Sequence, residues 1–293
     1  MILIADSGST KTDWRFLTAD TVLAQAYTAG FNPMYQEADE IYKELHEVLV
    51  PQLKDERPTA IYYYGAGCSS PERNKRVEDA LKMAFPDSLN YVDHDLLGAA
   101  RALCGREPGI ACILGTGSNT CLYDGAEIID NVPSLGFLLG DEGSGAYMGK
   151  LLIKAYLYRE LPDDLAQSLK NTYNLTKDGI LDTLYGSSIP SRYMATFAKF
   201  MHEKQKHPVI RAMIYENFSE FFERHVLKYK DHDKLPVNFV GSIAFHFSDT
   251  LKQVAKKYGL RVETIIKSPS EGLINYHQEL LQAFGTPDKS EKQ

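Results

Sequence analysis

Whatever chemistry this 293-residue chain performs must come from a few acids and two glycine-rich turns. Asp6 closes the apolar run at residues 2–5 and opens Asp6-Ser7-Gly8-Ser9-Thr10-Lys11-Thr12, where an acid meets a glycine, four hydroxyls and a lysine. Hydroxyls donate hydrogen bonds, a glycine lets backbone N–H groups approach an anion, and Lys11 adds positive charge. Asp6 could hold a metal-bound water beside phosphates. The same composition also makes an ordinary polar hairpin turn. Nothing in this stretch alone decides between the two.

A second turn repeats the first. The apolar run at 110–114 leads into Gly115-Thr116-Gly117-Ser118-Asn119-Thr120, and Thr116-Gly117-Ser118 aligns with Ser7-Gly8-Ser9, roughly 110 residues earlier. Each turn is followed by two further strand-like segments, so the chain reads as a duplicated unit. Two such turns facing one another would grip a polyphosphate from both sides. Further acids follow in Gly140-Asp141-Glu142-Gly143-Ser144-Gly145, ahead of a helical pattern. Acids and a serine suit a helix N-terminus on dipole and capping grounds. Capping does not need three glycines, which suggests a close approach to the backbone. Asp95, ahead of the helical run at 96–103, stands where an N-cap belongs, and capping alone would account for it. His94 reads as a loop histidine. Gly65-Ala66-Gly67, after the β-rich run at 60–64, marks either a ligand crevice or a plain turn.

The elements that must position these residues follow from periodicity. Strands are expected at 2–5, 13–17, 22–27, 60–64, 89–92, 110–114, 121–123, 126–130, 236–240 and 262–266. Helices are expected at 39–53, 71–85, 96–103, 144–158, 163–173, 191–202, 209–230, 244–257 and 271–284, and residues 286–293 read as a polar tail. Phe218, Phe221 and Phe222 lie at helical spacing and read as packing.

Composition narrows the function. At this length two domains are expected. A net charge of −7 argues against a general nucleic-acid binder, which would carry a basic face. No apolar run approaches the roughly 18 residues of a membrane span. No secretory signal is visible, so a cytoplasmic location is expected. Cys68, Cys104, Cys112 and Cys121 include no CxxC pair and read as reduced, buried thiols.

Four islands now stand in order: DSGSTKTDW (6–14), GTGSN (115–119), GDEGSG (140–145) and VGSIAF (240–245). Together they resemble the BadF/BadG/BcrA/BcrD-type ATPase family, and within it the N-acetylglucosamine kinases of the actin/hexokinase/Hsp70-like superfamily. The resemblance spans essentially the whole chain. It implies an α/β, actin-like (ribonuclease H-like) fold of two domains, each a mixed β-sheet with flanking helices, and a cleft binding ATP and Mg2+. The smaller domain would be 1–108 plus a C-terminal helix at about 270–285. The larger would be 109–269, with a helical insertion at about 150–232.

By the same resemblance, residues 6–12 look like the first phosphate loop, Gly115, Thr116, Gly117 and Ser118 like the second, and Gly241-Ser242 like the adenosine motif, where the commoner form is a double glycine. Asp95 falls at the position of the catalytic aspartate. Asn32, Gly67, Asp95, Thr116, Asp141 and Glu142 are expected at the amino sugar, and Asp6 and Asp141 at the metal. The implied activity is ATP-dependent phosphorylation of an N-acetylglucosamine hydroxyl, in a homodimer acting on a small molecule, with no nucleic-acid or membrane partner. The alternatives are an N-acetylmuramic acid kinase and an ATP-hydrolysing activator or binding protein of the BadF type. The zinc-binding cysteine cluster of ROK sugar kinases and the GxxxxGK[ST] loop are absent.

Overall fold

A computed structural model describes residues 1–8, 11–53, 56–187 and 189–287. The described residues divide into two compact units, one within 1–107, 125–127 and 269–287, the other within 108–124 and 128–268. The expected α/β architecture of two mixed, helix-flanked sheets is what the chain adopts.

The first unit is built on β1 (Ile2–Ser7), β2 (Lys11–Leu17), β3 (Val22–Ala29), β4 (Ala60–Gly65) and β5 (Leu89–His94), in the order β3-β2-β1-β4-β5. β1 pairs antiparallel with β2 and parallel with β4, and β4 pairs parallel with β5. Alternation along β1 sends Leu3 and Ala5 into one core, with Trp14, Phe16 and Tyr63, and Ile2 and Ile4 into another, with Tyr64 and Leu273. Burial on both faces explains why residues 2–5 are apolar without a break. The first face is covered by the helix Pro71–Ala84 and a helical stretch from Ala38 to Gln52 that includes a π-helical turn at Leu45–Leu49. The second is covered by the helices Asp95–Cys104 and Ser270–Phe284, where Gly272 lets the two approach: a Cβ there would lie 2.2 Å from the Ala102 carbonyl oxygen.

The second unit repeats the plan with β6 (Gly109–Leu114), β7 (Ser118–Tyr123), β8 (Ile128–Asp130), β9 (Val237–Val240) and β10 (Val262–Ile266), in the order β10-β9-β6-β7-β8. β6 corresponds to β1, antiparallel to the following strand and parallel to β9. The duplication read from two turns therefore extends to five strands. The core is aromatic, with Phe218, Phe221, Phe222 and Phe239 fully buried, so the phenylalanine set is packing as expected.

Boundaries moved where local chemistry prevailed. The helix expected at 209–230 ends at Arg224 and continues as a single 3-10 turn, Val226–Lys228. The one expected at 244–257 is two helices, Ser242–His246 and Ser248–Lys257. The helices Gly136–Leu139 and Lys177–Gly186 carry no clear apolar stripe and were not expected as separate elements. The four cysteines form no disulfide; Cys104 is half-buried and the other three are buried. Among the described residues no helix is long and apolar enough to cross a membrane.

Candidate functional site

In the first unit the opening hairpin behaves differently from a bare phosphate loop. Ser7 and Thr12 are fully buried, with their hydroxyl oxygens 2.7 Å apart. Thr12 Oγ1 donates to the Ala29 carbonyl at 3.1 Å, so the Ser7 hydroxyl donates to Thr12 and accepts the Phe31 N–H at 3.4 Å. The direction of each bond follows from the one before it. These two hydroxyls tie the hairpin to residues 29–31 and are not offered to an anion, contrary to expectation. The Gly8 N–H is turned inward as well, donating to the Lys11 carbonyl at 3.1 Å. Lys11 is exposed, its ammonium 3.5 Å from the centre of the Tyr27 ring. Ser9 and Thr10 lie outside the described residues.

Asp6, partly buried at the end of β1, has its carboxyl pushed up to about 7, by burial first and then by the charges of Asp95 and Asp13, against the pull of Lys11. A carboxylate in such surroundings favours a cation. Asp95 opens the helix Asp95–Cys104 but does not cap it. The cap is His94, whose Nδ1 accepts the Leu96 N–H at 3.0 Å. The capping account of Asp95 is thereby overturned, and its carboxylate, about 30% exposed, is left for other contacts.

Asn32 and Gly67 are brought together: a Cβ on Gly67, at φ +84°, would lie 2.5 Å from Asn32 Oδ1. Asn32 Oδ1 accepts the Met34 N–H at 3.0 Å, and its main-chain N–H is held by Gln36 Oε1 at 2.8 Å. The loop is thus self-braced and presents the Asn32 amide beside Gly67.

In the second unit three of the sequence islands converge at one end of the sheet. The carbonyls of Gly115 and Thr116 accept the N–H groups of Gly145 and Ala146 at 2.9 and 3.0 Å, so the first turn of the helix Gly145–Leu157 is docked on the glycine turn. Ser144 caps that helix through the Tyr147 N–H. Gly241 sits at φ +123°, where a Cβ would lie 2.2 Å from the Leu114 carbonyl oxygen, so only glycine lets this strand end approach β6. Beside it Ser242, Ile243, His246 and Phe247 face Ala195, Ala198, Lys199 and His202 across a cavity of about 310 Å3.

The acids of this unit are braces. Asp141 Oδ1 accepts the Ser118 N–H at 3.3 Å and the Ser134 hydroxyl at 3.2 Å, beneath the Gly117 turn. The residue has φ +64°, an uncommon conformation for a non-glycine residue. Burial raises its carboxyl pKa, partly offset by these two bonds. Both donors engage Oδ1, and neither reaches Oδ2. Glu142 is likewise engaged, 3.3 Å from Arg224 Nε and 3.5 Å from His225 Nε2, with its side chain only 9% exposed. That placement secures the glycine-rich loop to the helix Pro208–Arg224.

Among the described residues no cluster of three or more His, Cys, Asp or Glu could hold a metal ion. One carboxylate, Asp6, fits a magnesium ion that keeps most of its ligands as water and phosphate oxygens. The sequence reading missed His94, Ser134, Arg224 and His225. Only the first carried a signal, a histidine directly before the candidate aspartate at a helix start.

No family model and no curated protein matches the chain. Solved structures do. A proposed N-acetylglucosamine kinase from Porphyromonas gingivalis is 42% identical, covering 95% of this chain and 99% of its own, with a TM-score of 0.91. A proposed N-acetylglucosamine kinase from Chromobacterium violaceum is 19% identical over 94% of this chain and 98% of its own, with a TM-score of 0.74. A ROK hexokinase from Thermus thermophilus is 12% identical over 96% and 99%, with a TM-score of 0.52. The last two share the fold.

Proposed function

The chain belongs to the N-acetylglucosamine kinase-like family of the actin-like ATPase superfamily, and from that premise we propose that it transfers the γ-phosphoryl group of ATP to a hydroxyl of N-acetylglucosamine or a related amino sugar. The observation that carries this reading is the convergence of Gly115–Ser118, Asp141–Gly145 and Gly241–Ser242 in the second unit, next to a cavity of about 310 Å3. Ser242 and Ile243, with Ala195 and Ala198 opposite, offer an apolar slot and a hydroxyl suited to adenosine. The Gly115–Ser118 turn would hold phosphate oxygens through its backbone, at the shape that Asp141 maintains.

Asp95 would take the proton of the sugar hydroxyl. The O–H bond breaks, the sugar oxygen bonds to the γ-phosphorus, and the bridging oxygen leaves with ADP. Positioning and charge neutralisation supply most of the rate in such transfers. Asp6 would hold a hydrated magnesium ion, which supplies charge neutralisation on the phosphates when bound. Lys11, lifted from the Tyr27 ring, would add a positive charge. Asn32 and Gly67 would contact the sugar. A cytoplasmic homodimer completes the reading. Leu135, Leu138, Leu139 and Tyr185 are exposed apolar side chains that a second copy would cover.

The test is ADP release measured with N-acetylglucosamine, N-acetylmannosamine, N-acetylmuramic acid, glucose and no sugar. ADP release that depends on an amino sugar supports the reading. Release without sugar, or none at all, overturns it.

A further inference from the structure

The loop that carries Asn32 closes on itself. Gln36 Oε1 accepts the Asn32 N–H at 2.8 Å, and Asn32 Oδ1 accepts the Met34 N–H at 3.0 Å. The Asn32 carbonyl accepts the N–H groups of Tyr35 and Gln36 at 3.0 and 3.1 Å. These four bonds lie within residues 32–36, so they set the shape of the loop but not its position on the unit. Its entry is held by Phe31, which is buried and donates its N–H to Ser7. Its crest is held by Arg76, on the helix Pro71–Ala84. Arg76 Nη1 donates to the Pro33 carbonyl at 2.9 Å and lies 3.1 Å from Glu37 Oε1. Nη2 is 3.6 Å from Glu72 Oε1, one turn back on the same helix.

We propose that Arg76 is the positioning residue of this loop: by holding the Pro33 carbonyl it seats the Asn32 amide beside Gly67, and so sets the affinity for the amino sugar. A guanidinium suits the task, because its planar fork aims several donors in fixed directions and can meet a carbonyl and two carboxylates together. The Arg76 side chain is 27% exposed, whereas those of Glu37 and Glu72 are 70% and 84% exposed. Ion pairs to carboxylates so open to water contribute little, which leaves the Pro33 bond as the contact of consequence.

The seat itself is narrow. A Cβ on Gly67 would lie 2.5 Å from Asn32 Oδ1 and 3.4 Å from Pro33 Cδ, so a small slide of the loop alters what the two residues present. The same helix holds the other side of this gap, where Arg73 Nη1 donates to Ser69 Oγ at 2.8 Å and Ser70 caps the helix. The effect on sugar affinity rests on the kinase reading, with Asn32 and Gly67 at the sugar. The dependence of the loop on Arg76 rests on the contacts alone.

Two measurements test the proposal. The first is amide hydrogen exchange at residues 34–36 in the wild type and in Arg76→Met, with no ligand added. Methionine keeps an apolar stem and removes every donor. Faster exchange at these amides in the variant, with the helix 71–84 unchanged, supports the pairing. Unchanged exchange overturns it, whether or not the protein is a kinase. The second is steady-state ADP release with N-acetylglucosamine and ATP varied in turn. Arg76→Met should raise the KM for the sugar about 5- to 50-fold, with kcat, the KM for ATP and the melting temperature little changed. Arg76→Lys, whose ammonium can still donate to the Pro33 carbonyl, should recover much of that loss. Glu72→Gln removes an ion pair only and should match the wild type. A sugar KM that stays put in Arg76→Met, equal rises in both KM values, a lysine variant no better than methionine, or a Glu72→Gln variant as weak as Arg76→Met would each overturn the positioning role. Should Arg76→Met fail to fold, Arg76→Gln, which is too short to reach the Pro33 carbonyl, takes its place with the same expectations. Absence of sugar-dependent ADP release in the wild type removes the kinase reading and the effect on KM with it, and the exchange measurement then decides the pairing.

Discussion

His277 Nε2 lies 2.9 Å from the Tyr64 hydroxyl, and the direction of that bond is fixed by a third residue. Arg101 donates to the Tyr64 oxygen at 2.8 Å, so Tyr64 donates its own proton to His277, whose Nε2 must be bare. Burial, with Arg101 adding to it, drives the His277 pKa down to about 3. An unfolded histidine titrates near 6.5, so between about pH 6.5 and 3 the unfolded chain binds a proton that the folded chain refuses. Stability contributed by neutral His277 is complete above pH 6.5 and lost as pH falls through that window. Urea unfolding at pH 7 and pH 4.5 should differ by about 2 to 3 kcal/mol from this residue alone. His277→Gln, which accepts from Tyr64 but does not titrate, should flatten that part of the pH dependence. An equal slope in the variant would assign the acid sensitivity to other groups.

Asp95→Asn keeps the shape of the side chain and removes its basicity. With Asp95 as the base, sugar-dependent ADP release should fall by about 10²- to 10⁴-fold, while ATP binding, followed by a fluorescent nucleotide analogue, should change little. Full activity in the variant would exclude Asp95 from proton transfer.

Gly241 is the tightest backbone approach in the nucleotide half of the proposed machinery. A Cβ there would meet the Leu114 carbonyl oxygen at 2.2 Å from a backbone at φ +123°. Neither atom is the tip of a flexible side chain, so Gly241→Ala must displace β9 from the end of β6. A loss of about 2–4 kcal/mol is expected, together with weaker ATP binding, because Ser242 and Ile243 move with the strand end. Thermal melting and nucleotide titration read the two effects. An alanine variant that melts and binds like the wild type would contradict the packing described here.

How much of this was legible in the sequence depends on which atoms carry the information. Strand runs such as 2–5 and 110–114 are apolar because both faces of their sheets are covered, and the glycine islands stand out because backbone approach excludes other residues; both leave a mark in residue type. Hydrogen-bond direction leaves none. Ser7 and Thr12 read as phosphate donors by type, yet their partners are Ala29 and Phe31, residues that only β3 and the loop after it bring alongside. Asp95 read as a cap because acids commonly cap helices, but the His94 ring reached the Leu96 N–H instead. Glu142 is braced by Arg224 and His225, more than 80 residues away in sequence, a pairing with no local signature.

Asp141 offers the sharpest separation of a metal ligand from a brace. As a brace it needs one acceptor oxygen for the Ser118 N–H and the Ser134 hydroxyl, and tolerance of φ +64°. Asparagine supplies both, since its side-chain oxygen accepts equally well and it enters the left-handed region more readily than most residues. Asp141→Asn should therefore melt within about 1 kcal/mol of the wild type and keep sugar-dependent ADP release within a few-fold, with an unchanged magnesium requirement. Asp141→Ala loses the acceptor and keeps the strained backbone, so it should cost about 1–3 kcal/mol and loosen the Gly115–Ser118 turn, raising the KM for ATP. A magnesium ligand would show the opposite order. Asp141→Asn would then fold normally but require far more magnesium, and titrating the metal against ADP release in the two variants distinguishes the cases.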